Sequence, residues 1–363
     1  MSLSHQSQPV VYLAATGHGF GHAVRICAVA AAIQQLNPNI LLILVTTAPR
    51  WLLEAYIPGD FIYRPRAFDV GVIQSDSLKM DQTETLKKNQ EIFSKKNSII
   101  ASEVNFIKTN KVGLILADIP PLAALIAKTA NIPCWMMSNF GWDFIYRDWG
   151  DDFQIIADQI SQCYQQCDRL FRLPMAEPMN AFNSIIDVGL TGGNPHYTEA
   201  ELRDKFKLVA PRNQIVLLTF GGLGLDQIPY HNLSRFSDWQ FITFDRQAPE
   251  LPNLTKITET SLRPVDFMPI CGRVVSKPGF STFSETMRLD VPIVSLTRND
   301  FAEAIFLLEG IQNYADHQII NTETFYQGNW DFLLTPLNRP KIGKTLSKDG
   351  AEVIACAVVE YFK

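Results

Sequence analysis

The stretch Val10-Val11-Tyr12-Leu13-Ala14-Ala15-Thr16-Gly17-His18-Gly19-Phe20-Gly21-His22-Ala23-Val24-Arg25 decides how the rest of the chain is read. A short apolar run of strand type comes first, the glycines mark a sharp turn, and a helical pattern opens at Ala23. A turn of this kind presents free backbone N–H groups and a helix dipole to a ligand arriving at the strand's carboxyl end. A second such turn, Ser276-Lys277-Pro278-Gly279-Phe280-Ser281-Thr282-Phe283-Ser284-Glu285, lies in the other half of the chain. One turn per half predicts two bound reactants.

Outward from the first turn, strand-like runs alternate with helical stretches, the pattern of a parallel sheet covered by helices. The strands are expected at Val10 to Ala15, Ile40 to Val45, Val112 to Ala117, Cys134 to Ser138 and Arg169 to Leu173, and the helices at Ala23 to Leu36, Thr83 to Lys108 and Leu122 to Ala130. A segment rich in Pro, Asn and Gly, residues 173–195, breaks the rhythm and reads as a linker. The pattern restarts with Ile215 to Phe220, Gln240 to Phe244, Leu254 to Ile257, Arg273 to Ser276 and Pro292 to Leu296. Asp349 to Phe362 reads as a closing helix with Val353, Ile354, Ala357, Val358 and Tyr361 on one stripe. The expected organisation is an α/β chain of two Rossmann-like domains facing a cleft. Residues 1–172 are expected to form the first domain, 196–345 the second, and 346–363 a terminal helix that packs back on the first domain.

Composition supports this and excludes other classes. A chain of 363 residues suits two domains of ordinary size, and 47% hydrophobic residues suffice for two cores. A formal charge of -5 without any lysine or arginine block excludes nucleic acid as the main partner. The six cysteines show no Cys-x-x-Cys and no ligand cluster. With no secretory signal and no long apolar span, we expect a reduced, cytoplasmic protein without a transmembrane segment.

The first turn is not a dinucleotide fingerprint, because the glycine spacing is wrong and the second strand ends in Val45-Thr46-Thr47 with no acidic residue for ribose. Nor is there a P-loop: Gly343-Lys344-Thr345 has asparagine where the leading glycine belongs and follows no strand. What remains is a turn that sets His18 and His22 at a cleft edge. The helix dipole biases such a histidine toward its neutral form, which suits a general base; the plainer reading is that both only cap the helix or bond the loop. Asp118 ends the strand from Gly113 and could reach His22 across the sheet edge, or cap the following helix. Ser138-Asn139-Phe140-Gly141-Trp142-Asp143-Phe144 follows another strand, and Asn139, Trp142 and Asp143 fit either a carbohydrate acceptor or ordinary core.

In the second turn, Gly279, Ser281 and Thr282 suit a phosphate cradle, Lys277 stands beside it, and Glu285 could hold a ribose diol. The same residues also read as a capping box. Thr219-Phe220-Gly221-Gly222-Leu223-Gly224 and Arg298-Asn299-Asp300-Phe301-Ala302-Glu303 end on the same edge. Gly221 and Gly222 would free backbone for a diphosphate, while Asp300 and Glu303 would grip sugar hydroxyls or simply start a solvated helix.

Taken together, Gly21-His22, Asp118, Lys277-Pro278-Gly279, Ser284-Glu285 and Asp290-Val291-Pro292-Ile293-Val294 resemble the two-domain GT-B glycosyltransferases, in particular the UDP-sugar transferase and peptidoglycan GlcNAc-transferase branch. Gly17 to His22 and Ser138 to Phe144 are more similar still to the glycosyltransferase-like N-terminal region of plant arabinose kinases, over nearly the whole chain. The sugar-kinase domain of those proteins has no counterpart in these residues, so kinase activity is not expected. The resemblance implies His22 as base or near it, Asp118 holding it, and Glu285 on the nucleotide ribose. It departs in lacking the plant-type His-x-Gly-Trp-Asn-Ser donor box and in placing glutamate at 303 where many relatives have glutamine.

The expected activity is metal-independent, inverting transfer of a sugar from a nucleotide-diphosphate donor, a UDP-sugar first among them, to a hydroxyl on a small molecule, glycan or lipid-linked acceptor. No cofactor is expected, and there is no Asp-x-Asp triplet to hold a metal diphosphate. Two other readings stay open: a non-catalytic nucleotide-sugar sensor, and a sugar-nucleotide epimerase using Asp300 or Glu303.

Overall fold

The computed structural model describes residues 8–75, 78–222, 224–328 and 330–363. Within them, seven parallel strands form one sheet, in the order β3-β2-β1-β4-β5-β6-β7. These are β1 (Val10–Ala15), β2 (Leu41–Val45), β3 (Ile62–Arg64), β4 (Leu114–Asp118), β5 (Cys134–Ser138), β6 (Arg169–Arg172) and β7 (Ile185–Asp187). Six further strands, β8 (Ile215–Leu218), β9 (Gln240–Thr243), β10 (Leu254–Lys256), β11 (Arg273–Ser276), β12 (Ile293–Leu296) and β13 (His317–Ile320), form a second parallel sheet in the order β10-β9-β8-β11-β12-β13. Both sheets reverse winding direction beside their first strand, between β1 and β4 and between β8 and β11. Open α/β sheets bind ligands at that point, outside the carboxyl ends of the strands.

Helices connect the strands: α1 (Gly21–Leu36), α2 (Arg50–Tyr56), α3 (Gln82–Ser94), α4 (Lys96–Thr109), α5 (Leu122–Ala130), α6 (Trp142–Arg147) and α7 (Gln154–Tyr164) in the first half. In the second half come α8 (Glu199–Phe206), α9 (Pro264–Phe267), α10 (Phe280–Arg288), α11 (Glu303–Tyr314), α12 (Thr322–Tyr326) and α13 (Gly350–Tyr361). The single helix expected from Thr83 to Lys108 is two, broken at Lys95, whose φ of -97° and ψ of 1° leave the helical range.

Strand alternation divides the interior. Val11, Leu13 and Ala15 of β1, with Leu114 and Leu116 of β4, face a core that continues through α1 and α13 into the second half, where it includes Phe280, Ile293 and Val265. Val10, Tyr12, Ala14, Ile115 and Ala117 point to the other side, into a separate core under α5 to α7. A third core lies beneath β8 and β9. Each fully buried leucine or isoleucine contributes about 1.5–3 kcal/mol, so the continuous core is a strong tie between the halves.

The segment expected to be only a linker contains β7, which pairs with β6 through Leu170, Phe171 and Arg172. The chain thus leaves the first sheet after Asp187. It returns from the second sheet through residues 339–349 and ends in α13, which packs on α1. The two crossings are bonded side by side: Leu190 N–H donates to Ser347 O at 2.8 Å and Gly350 N–H to Leu190 O at 3.0 Å. The buried face of α13 is Ala351, Ile354, Ala355 and Val358, whereas Val353 and Tyr361, expected on that stripe, are 39% and 46% exposed. The docking surface is chiefly α1, with Tyr361 reaching the Trp135 ring at 5.6 Å and donating to Gly113 O at 3.2 Å, so the stripe is narrower than the apolar pattern.

Candidate active site in the cleft between the sheets

The carboxyl edges of the two sheets face a shared cleft of about 860 Å³. Its first lip is built by β1, β4 and α1. Ala15 of β1 is in register with Asp118, the last residue of β4, and Thr16 N–H extends that ladder to Asp118 O at 2.8 Å. His22, in the first turn of α1, therefore meets the Asp118 carboxylate: Nδ1 lies 2.8 Å from Oδ1, with both residues buried. A proton on Nδ1 satisfies the Asp118 contact, since a carboxylate oxygen can only accept. A neutral His22 then keeps its lone pair on Nε2, and the side chain lines the cleft.

Arg25, three residues on and on the same face of α1, is a partner the sequence reading did not single out. Its Nε donates to Asp118 Oδ2, its Nη2 to Oδ1 at 2.7 Å and to Ser138 Oγ at 3.0 Å, and its Nη1 to Asn139 Oδ1 at 2.7 Å. Nη2 also lies 2.9 Å from His22 Nδ1, so the ring N–H and the guanidinium converge on one carboxylate oxygen. The spacing of His22 and Arg25 was the available signal.

His18 sits at the cleft edge with Nδ1 3.1 Å from Val72 O and 3.2 Å from Val72 N. Its ring stacks on Phe301, with centroids 6.2 Å apart. Burial first, then His22, Arg298 and Lys277, holds this imidazole well below its usual value, so it is neutral at physiological pH.

The second lip is built by the loops after β8, β11 and β12. Gly279 caps α10 from an extended conformation, and no side chain caps that helix, so the expected capping box does not form. The Ser281 hydroxyl crosses the cleft and donates to Gly21 O at 2.8 Å, while Thr282 lines the cleft. Lys277 is half-buried beside them. Burial, and then Arg298, bring its pKa down to about 7, against the opposing pull of Glu303. Glu285 is buried, and its Oε1 accepts from Gly193 N–H at 2.9 Å and from Tyr56 OH at 3.4 Å. Burial raises its pKa to about 7. Gly221 has a φ of +82°, and a Cβ at Gly222 would lie 2.6 Å from the Phe20 ring, so these glycines admit a turn and an aromatic from the opposite lip. Leu223, between them and Gly224, lies outside the described residues.

Asn139, Trp142, Asp143 and Asp300, all expected in the site, do not line the cleft. Trp142 is 1% exposed and backs the imidazoles, its ring 5.4 Å from His18 and 5.8 Å from His22, with Nε1 donating to Thr16 Oγ1 at 3.3 Å. Asp143 accepts from the Ser161 hydroxyl at 2.7 Å, on the α7 side. Asp300 is exposed, and it is its carbonyl that receives Trp149 Nε1 at 3.3 Å. Asn139 is buried behind the lip, where its Nδ2 donates to Glu303 Oε1 at 2.8 Å; Glu303 itself lines the cleft. The five cysteines at 27, 134, 163, 167 and 271 are buried and free, and Cys356 is exposed. Among the described residues no helix is long and apolar enough to cross a membrane.

Two facing parallel sheets with a ligand cleft at both switch points make this a two-domain GT-B fold. Solved GT-B structures superpose over nearly the whole chain. The glycotransferase of kitacinnamycin gives a TM-score of 0.67 at 12% identity, covering 98% of this chain and 100% of that one. UGT71G1 of Medicago truncatula complexed with UDP-glucose gives 0.62 at 13% identity, covering 100% of each chain. A protein assigned as UDP-N-acetylglucosamine 2-epimerase from Listeria monocytogenes gives 0.62 at 13% identity, covering 99% and 97%. Among curated proteins the chain is similar to L-arabinokinase of Arabidopsis thaliana, 30% identical over 326 residues, which are 87% of this chain and 31% of that protein. The chain thus spans about a third of the length of this curated relative. No family model matches it.

Proposed function

We propose that the chain transfers a sugar from a nucleotide-diphosphate donor to a hydroxyl acceptor, inverting the anomeric centre without a metal ion. One observation carries the reading. A buried His22–Asp118 pair on one lip faces an uncapped helix N-terminus and a lysine on the other, across a cleft wide enough for a sugar nucleotide. His22 takes the acceptor proton on Nε2 as its oxygen attacks the anomeric carbon, and the Nδ1–H bond to Asp118 holds the ring in that tautomer. The bond from sugar to diphosphate breaks on the opposite face, and its electron pair leaves with the nucleoside diphosphate. The first-turn N–H groups of α10 and Lys277 stabilise that charge. Ser281, Thr282, Gly221 and Gly222 border the diphosphate, and Glu285 would hold the ribose. UDP is the first donor to test, because the GT-B neighbour UGT71G1 was solved with UDP-glucose.

A panel of sugar nucleotides with His22→Ala beside wild type tests the assignment. General base catalysis is worth about 100- to 10,000-fold, so transfer should fall by that range while nucleoside diphosphate binding persists. Equal turnover by both proteins would reject His22 as the base.

A second reading is acid/base isomerisation of the bound sugar nucleotide. It is favoured by Lys277, with a pKa near 7, standing with Glu303 on the lip opposite His22. Incorporation of solvent deuterium at the sugar C2 without transfer would select it.

A further inference from the structure

The base pair and the donor lip are joined by an unbroken run of buried hydrogen bonds. Arg25 holds Asp118 with two nitrogens and reaches Asn139 Oδ1 with the third. Because that oxygen accepts from a cation, the Asn139 amide is fixed with its NH₂ outward, and Nδ2 donates to Glu303 Oε1 at 2.8 Å. Asn139 is 1% exposed and Arg25 2%, so neither partner is replaced by water at low cost. Asp118 belongs to the first sheet and Glu303 to the first turn of α11 in the second half. One guanidinium and one amide thus connect a carboxylate on each side of the cleft. Other contacts cross nearby, among them Ser281 to Gly21, Phe20 over Gly222, His18 on Phe301, Tyr56 to Glu285 and the Arg25 guanidinium over the Phe280 ring, but none of them is made by the Asp118 carboxylate.

We propose that Arg25 and Asn139 are positioning residues that set the donor lip in register with the base, so that His22 and the sugar carbon come to reacting distance only when Asn139 holds Glu303. The consequence for catalysis rests on the transferase reading above; the register itself does not. Orientation of this kind dominates rate in two-substrate reactions, and a small misplacement of one lip is costly. The amide is essential because it alone can accept from Arg25 on one side and donate to Glu303 on the other.

That asymmetry gives a charge-swap test. Asn139→Asp keeps the bond from Arg25 but sets a carboxylate against Glu303. Adding Glu303→Gln restores a donor, now from the other side of the contact. Nitroxides at exposed Asp60 and exposed Asp238, in a Cys356→Ser background that removes the one exposed thiol among the described cysteines, report the separation of the halves in the full chain without substrate. We expect Asn139→Asp to lengthen and broaden the distance distribution and to lower kcat by about 10- to 100-fold while leaving UDP affinity unchanged. The double variant should recover the wild-type distance. If Asn139→Asp does not fold, Glu303→Ala on the cleft wall must lengthen the same distance. An unchanged distance in the single variant, or no recovery in the double, overturns the proposal. A wild type that turns over no donor counts against the transferase reading instead, and the distances still decide the register.

Discussion

Glu285 has the resemblance-based role of a ribose ligand and the environment of a core residue. It is 3% exposed, and burial lifts its carboxyl from 4.5 to about 7. Between those values the folded protein binds a proton that the unfolded chain has released, so stability falls as pH rises from 4.5 to about 7 and is level above it, an effect of up to about 3 kcal/mol. Glu285→Gln keeps the oxygen that receives Gly193 N–H and removes the titration. Denaturant melts across this range should show the wild type losing stability relative to the variant, and parallel curves would refute the assignment. The histidine and aspartate were legible in the sequence because a glycine turn and a strand end have fixed places on a parallel sheet. Arg25 was not, because the three-residue spacing from His22 puts it on the same helix face but does not name its partner, a carboxylate 93 residues away. Trp142 and Asp143 have the residue types of a sugar site, but their helix turns them toward the core and toward α7.

Helix α10 begins without a side-chain cap, which leaves its N-terminus to a ligand. A Cβ at Gly279 would come no closer than 3.9 Å to its neighbours, and the backbone there is extended, so a side chain fits. Gly279→Asp should cap the helix and raise stability by a few tenths of a kcal/mol, while its charge repels phosphate and weakens UDP binding by at least about tenfold. Calorimetry and thermal melts check both, and unimpaired UDP binding would remove the anion from this helix end. The central strands were readable to within one or two residues because they are continuous apolar runs. The edge strands β3 and β7 were not: Ile62–Arg64 and Ile185–Asp187 are three residues each, largely solvent-facing, and carry arginine and aspartate where a core strand has valine. β13 was hidden likewise by His317 and Gln318, polar residues that are buried with hydrogen bonds to Ala315 O and to Thr335.

The two halves share one core and two chain crossings that lie against each other. A Cβ at Gly350 would fall 2.0 Å from Gly189 O, a backbone atom that cannot swing aside. Gly350→Ala should therefore separate the crossings and cost about 1–3 kcal/mol, read as a lower denaturation midpoint; an unchanged midpoint would show that the crossings yield freely. The return of the chain was legible as an amphipathic closing helix, but its seat on α1 was not, since the apolar pattern names a buried face and not its partner. That seat also governs the order of birth. While the ribosome is still translating the second sheet, the first one waits with α1 uncovered, and it is completed only when Gly350–Tyr361 has been made. A nascent chain stalled short of that point carries a finished set of parallel strands with one open flank, a natural client for a chaperone until α13 emerges.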